Sequence, residues 1–206
     1  MKQLFALLVA ICLAPSAAFA QEAPDALVKR VTEEVLNIVK TDKDIQNGNT
    51  RRVIDLVEQK VLPNFNFQRM TALALGREWR KATPEQQKQL TNEFMTLLVR
   101  TYSNALTAYR DEKIRYKPLK MTAGDTDVVV MTEVLQPGGR PVQLDYSLEK
   151  GDSGWKVYDV IVGGISLVTN YRESFAQEVR NGGIDGLIKT IAAKNKSLES
   201  GKPEKK

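Results

Sequence analysis

Histidine is absent from this 206-residue chain, and the single cysteine, Cys12, lies within the first twenty residues. Together these absences exclude Ser-His-Asp and Cys-His catalysis, histidine general bases and the usual zinc and transition-metal ligand sets. Ser166 stands in GGIS, but a nucleophile elbow needs a glycine two residues after the serine, where this chain has Val168. No glycine-rich phosphate loop or calcium loop is present. Beyond the N-terminus there is no long apolar run. The 30 Lys and Arg and 25 Asp and Glu are scattered, without the basic stripe that nucleic-acid binding uses.

What is present begins with MKQLFALLVAICLAPSAAFA. It has a basic start at Lys2, an apolar run from Leu4 to Leu13 and a small-x-small close, Ala18-Phe19-Ala20. That is the pattern of a secretory signal, and the run is too short to span a bilayer. Ile11 is too bulky for the residue before a lipidated cysteine, so cleavage after Ala20 is expected. The remaining 186 residues hold no cysteine, so this secreted domain must stand by core packing alone, as suits a bacterial periplasm. Without Lys2, 29 basic residues face 25 acidic ones. Such a small surplus reads as a solvated surface more readily than as a patch for anionic headgroups.

The first half of the mature chain has helical spacing. Pro24 suits a first helical position, and Leu27, Val31, Val35, Ile38 and Val39 follow three or four apart. A loop, TDKDIQNGN, precedes a second helix over 50–61, with Val53, Ile54, Val57 and Val61 as its stripe and Leu62-Pro63 as its end. A short helix in NFNFQRMTALALG closes on Gly76. Thr83-Pro84-Glu85-Gln86 is a capping box, and the helix it starts is expected to reach about Arg110 with Phe94, Leu98, Tyr102, Leu106 and Tyr109 on its apolar face.

After this the period changes to two. Segments 113–119, 127–135, 140–150 and 155–162 are separated by Gly124-Asp125, Pro137-Gly138-Gly139 and Gly151-Asp152-Ser153-Gly154. Connections this short make an antiparallel meander. In the third segment Val142, Leu144, Tyr146 and Leu148 share one face. Two helices over 166–181 and 184–193 follow, split by Gly182-Gly183. The fold class is therefore α+β, a four-stranded antiparallel sheet wrapped by N- and C-terminal helices. One domain covers 21–193, and 194–206 reads as a disordered polar tail.

Carboxylate chemistry is the one catalytic option left. Asp145-Tyr146 and Tyr158-Asp159 could place an acid beside a phenol on neighbouring strands. The plainer expectation is that Asp145 faces solvent and Asp159 accepts a structural hydrogen bond. Trp79 and Arg80 of REWR read as an aromatic anchor with a solvated charge rather than a headgroup clamp, and Phe94, Tyr102 and Tyr109 read as core.

Several stretches carry a resemblance: VLPNFNFQRMTALALGREWRKATPEQQ, TYSNAL, WKVYDVIVGGISLVTNYRESF and GGIDGLI. They resemble the MlaC family, periplasmic phospholipid carriers of the pathway that maintains outer-membrane lipid asymmetry, also called toluene-tolerance proteins. The likeness runs from about Pro24 to Ala193, with GGIS where some members have EGVS. It implies a strongly twisted, NTF2-like four-stranded sheet whose helices close a deep apolar cavity. The acyl chains of a glycerophospholipid would occupy that cavity, with no cofactor and no enzymatic step. Implied partners are an inner-membrane ABC transporter, which uses the ATP, and an outer-membrane lipoprotein–porin complex. By the resemblance Tyr102 and Ile165 are wall residues. Strand and helix facing adds Leu98, Leu106, Val130, Leu144, Tyr146 and Val157. Gly163-Gly164 is expected where a Cβ would crowd that wall.

Overall fold

The computed structural model describes residues 21–109 and 112–200. The signal segment and the last six residues lie outside them.

Helix α1 (Pro24–Thr41) starts on its proline and buries Leu27, Val28, Val35 and Val39. Asp42 follows it and accepts from the backbone N–H groups of Asp44 and Ile45. That cap turns part of the expected loop into a one-turn helix, α2 (Lys43–Gln46). Asn49 caps α3 (Thr50–Leu56), which runs on through a π turn, Val57–Val61, to Pro63. Asn66 caps α4 (Phe67–Leu75), and Gly76 ends it at φ +59°, a conformation suited to glycine.

The Thr83 capping box is formed in full at the start of α5 (Pro84–Tyr102). The helix does not reach Arg110. The Ser103 hydroxyl donates back to the Val99 carbonyl, a bond that bends helices, and a separate turn, α6 (Asn104–Thr107), follows.

The sheet is an antiparallel meander of β1 (Lys113–Tyr116), β2 (Asp127–Leu135), β3 (Val142–Gly151) and β4 (Gly154–Val162). A fifth, two-residue strand, β5 (Ile165–Ser166), extends the expected four by pairing with β4. The Gly163-Gly164 turn that makes this possible has φ +57° and +86°. A Cβ at either glycine would meet nothing within 4 Å, so backbone conformation rather than crowding calls for glycine. Between Ser147 and Leu148 the β3–β4 register shifts and leaves Tyr158 as an extra residue. Its ring lies under the Arg69 guanidinium at 3.5 Å, and its hydroxyl donates to Asp127 at 2.7 Å.

Helix α7 (Arg172–Glu199) breaks at Gly183, φ +67° and ψ −172°, as the Gly182-Gly183 pair predicts. It continues six residues into the segment expected to be disordered. Arg100 holds that extension through Glu199 at 3.1 Å, and Asn195 donates to Glu93.

Three buried clusters support these elements. The first joins α4, α5 and α7, and in it Phe94 meets Tyr171 and Phe175 edge-on at 5.2 and 5.3 Å. The second packs the start of α1 on the sheet, and the third joins α1, α2 and α3. Phe94 is fully buried, so Phe94→Ala is expected to cost about 3–5 kcal/mol in chemical denaturation. A loss below about 1 kcal/mol would show that this cluster does not carry the helical half.

Burial pushes the Tyr171 phenol up to about 12. Its raised value means the folded state holds the proton longer than the unfolded chain does. The stabilising difference is complete below the ordinary phenol range near 10 and is lost as pH rises toward about 12. Tyr171→Phe should therefore lose less stability than the parent chain between about pH 10 and 12. Equal slopes in denaturation curves across that window would show a freely titrating phenol.

Candidate functional site

The elements leave a cavity of 680 Å³ where the second and third clusters approach each other. One wall is the sheet. Antiparallel partners share a face, and the register stacks Leu144 with Val162 and Tyr146 with Val160, with Val157 beside Leu148 in the next row. Leu144, Tyr146, Val157, Val160 and Val162 all line the cavity, as do Ile114 and Val134 at its β1–β2 end. The opposite wall is the inner stripe of α1, with Val28, Val31, Thr32 and Val35. Val57 and Val61 of the π turn and Leu62 just after it close one side, and Leu98, Tyr102 and Leu106 of α5 and α6 another.

Six of the eight expected wall residues are thus brought together: Leu98, Tyr102, Leu106, Leu144, Tyr146 and Val157. Two are not. Val130 shares the face of Tyr146 but is only 1% exposed, packed in the second cluster with Leu27 and Val28 of α1. Ile165 pairs with Val162 on the same face, yet it sits on the short edge strand and is 62% exposed.

The α1 stripe and the π-turn valines were legible as helix faces but not as wall. Their spacing is what an ordinary core contact also requires. The aromatic stripe divides: Phe94 is core, whereas Tyr102 and Tyr109 line the cavity. Trp79 packs against the α4–α5–α7 cluster and Arg80 is exposed, as the anchor reading expects.

Few polar groups interrupt the wall. Asn64 donates to the Lys60 carbonyl at 2.8 Å, and Tyr109 donates to the Glu112 carbonyl at 2.8 Å. Thr32 of α1 and Tyr146 of β3 both line the cavity, and burial pushes the Tyr146 phenol up to about 12. Burial also raises the Tyr116 phenol of β1, whose oxygen is closed off without a hydrogen-bond partner.

The acid–phenol pair is not assembled. Asp145 alternates with Tyr146 along β3 and points to the opposite sheet face. There it is 6% exposed rather than solvated, and its carboxylate accepts from Gln143. Asp159 accepts from the backbone N–H groups of Val160 and Val168 at 2.8 and 3.3 Å, the structural role expected of it. Tyr158 lies away from the cavity against Arg69 and Asp127. Among the described residues no group of three His, Cys, Asp or Glu side chains could hold a metal. No described helix is long and apolar enough to cross a membrane.

The chain is similar to known proteins. A phospholipid-binding protein from Ralstonia solanacearum, solved in complex with a phospholipid, superposes with a TM-score of 0.79 at 43% identity, over 85% of this chain and 98% of that one. Toluene tolerance protein Ttg2D of Pseudomonas putida is 31% identical over 97% of this chain and 95% of its own. The intermembrane phospholipid transport system binding protein MlaC of Haemophilus influenzae is 23% identical over 83% and 81%. The family model described as MlaC protein matches residues 29–193. With most of its length covered by that match, the chain belongs to the MlaC family.

Proposed function

We propose that this protein is a periplasmic carrier that holds a phospholipid by its acyl chains and passes it between the outer and inner membranes. The observation that carries the reading is the 680 Å³ apolar cavity between α1 and the sheet. The phospholipid complex of the Ralstonia relative and the name of the Haemophilus relative support it. The N-terminal signal pattern supports a periplasmic location. An inner-membrane ABC transporter complex and an outer-membrane lipoprotein–porin complex are the partners that family membership suggests.

The energetics suit a carrier. Two acyl chains crossing water bare would expose about thirty methylenes at ~0.8 kcal/mol each, on the order of 20 kcal/mol. An apolar cavity recovers that much about as well as a bilayer interior does, so transfer between them is near balance. No step of this function needs the bond chemistry for which histidine or cysteine would be required.

In this reading Leu98, Tyr102, Leu106, Leu144, Tyr146 and Val157 contact the chains. Ile165, exposed beside Val162, offers apolar contact to a part of the lipid that emerges from the cavity.

The test is native mass spectrometry of mature protein purified from bacteria, with solvent extraction of whatever is bound. One phospholipid per protein is expected. Leu144→Glu, which puts a charge in the wall, should lower occupancy at least about tenfold. Val129→Glu, at a 43% exposed position on the other sheet face, should leave it unchanged. Protein that is empty on isolation and stays empty when offered phospholipid would refute the reading.

A further inference from the structure

At one end the apolar wall runs into packed side chains and stops. Leu27 and Val28 of α1 and Val157 of β4 line the cavity and belong at the same time to the second buried cluster. Their cluster partners Val128, Val130, Leu148 and Trp155 are buried behind them and do not line it. Here α1 and the sheet close on each other. Further along, α1 leaves the sheet and packs Val35 and Val39 against α2 and α3. The cavity is therefore a wedge, with its apex at Leu27, Val28 and Val157.

Burial falls row by row away from that apex. Leu148 and Val157, which pair, are both buried, whereas the pairs Tyr146–Val160 and Leu144–Val162 are half-buried. Gln136, beyond the Val134–Val142 pair, lines the cavity and is exposed, and so is Ile165 beside Val162. A chain that enters at this end follows the sheet rows toward the apex. From Leu144 to Leu148 is four residues of β3, about 13 Å of strand. The chains of one bilayer leaflet fill about 15 Å, half of the hydrocarbon core. The apex thus lies at the depth where the chain ends of a membrane lipid fall, and its three side chains are apolar, as a terminal methyl group requires.

Resting on the carrier reading above, we propose that Leu27, Val28 and Val157 form a floor that meets the chain ends and sets the longest acyl chain the carrier takes in full. The floor is firm, because Val130 and Leu148 behind it are fully buried and close-packed interiors yield little. Transfer from a bilayer is balanced only for methylenes that exchange one apolar surrounding for another. A methylene for which the cavity has no depth stays in water when the lipid is bound, which weighs against that lipid about fourfold. Chains that fit are taken in proportion to their share of the bilayer, and longer ones are excluded step by step.

The experiment equilibrates lipid-free mature protein with vesicles of phosphatidylethanolamine in equal parts dilauroyl, dimyristoyl, dipalmitoyl, distearoyl and diarachidoyl, and reads the bound species by native mass spectrometry. The parent protein should take the shorter lipids evenly and, past one length, lose about fourfold for each methylene left outside. Val28→Phe, which raises the floor, should move that break to shorter chains. Val28→Ala, which lowers it, should move the break to longer ones and keeps the test open if the larger side chain prevents folding. Val129→Phe, the same enlargement at an exposed position on the other sheet face, should leave the break in place. An even uptake across the whole series, or a break that neither Val28 variant moves, overturns the floor. Failure to bind any of the lipids overturns the carrier reading itself, a result distinct from even uptake.

Discussion

The structure depends on a concave apolar sheet face that α1 covers only in part. Where contact is made, at Val128, Val130 and Leu148 against Leu27 and Val28, the result is ordinary core. Toward Leu144 and Val162 the helix and sheet diverge, and the same alternation that would have made core makes an open wall. Interiors are stabilised by close packing, so this gap must be supported from outside itself.

The support comes from clusters that close without the cavity. Phe94, Tyr171 and Phe175 tie α5 to α7, and Arg100 and Asn195 fasten the end of α7 back onto α5. On the far face of the sheet, the β4 bulge turns Tyr158 out against Arg69, Asp127 and Glu149, which locks α4 to the strands. The Asn66 backbone N–H also donates to the Val157 carbonyl at 2.8 Å, so the strand that walls the cavity is held along its edge as well. The chamber is held open by neighbours that are already satisfied.

How much of this could be read from the residues follows from the range of each signal. Local rules succeeded: the Thr83 box, Pro24, the Gly183 break and the alternating strands all act within a few residues. Two expectations failed. Helix α5 ends at Tyr102 rather than near Arg110, and Asp42 caps a helical turn in a polar segment expected to be loop. The wall was half legible. Period and facing identified Leu144 and Tyr146, but they cannot tell a residue that meets a helix from one that meets empty space. Val130 and Tyr146 share one face and row and differ only in what lies opposite.

That distinction also bears on how selective such a carrier is. Hydrophobic burial is proportional to area and indifferent to direction, so walls of Leu and Val accept many chains and hold none in register. Among chains that fit, discrimination has to come from the few groups with directional bonds. Here several of the polar side chains lining the cavity are engaged within the protein: Asn64 with Lys60, Ser103 with Val99, and Tyr109 with Glu112. The carrier's affinity thus resides in its apolar area, and the room for selectivity resides in the few polar side chains of its wall. A carrier built this way gains by having few such bonds. Each directional contact that fixes the lipid must be broken on release, and near-balanced exchange with a bilayer tolerates only a bond or two of that strength.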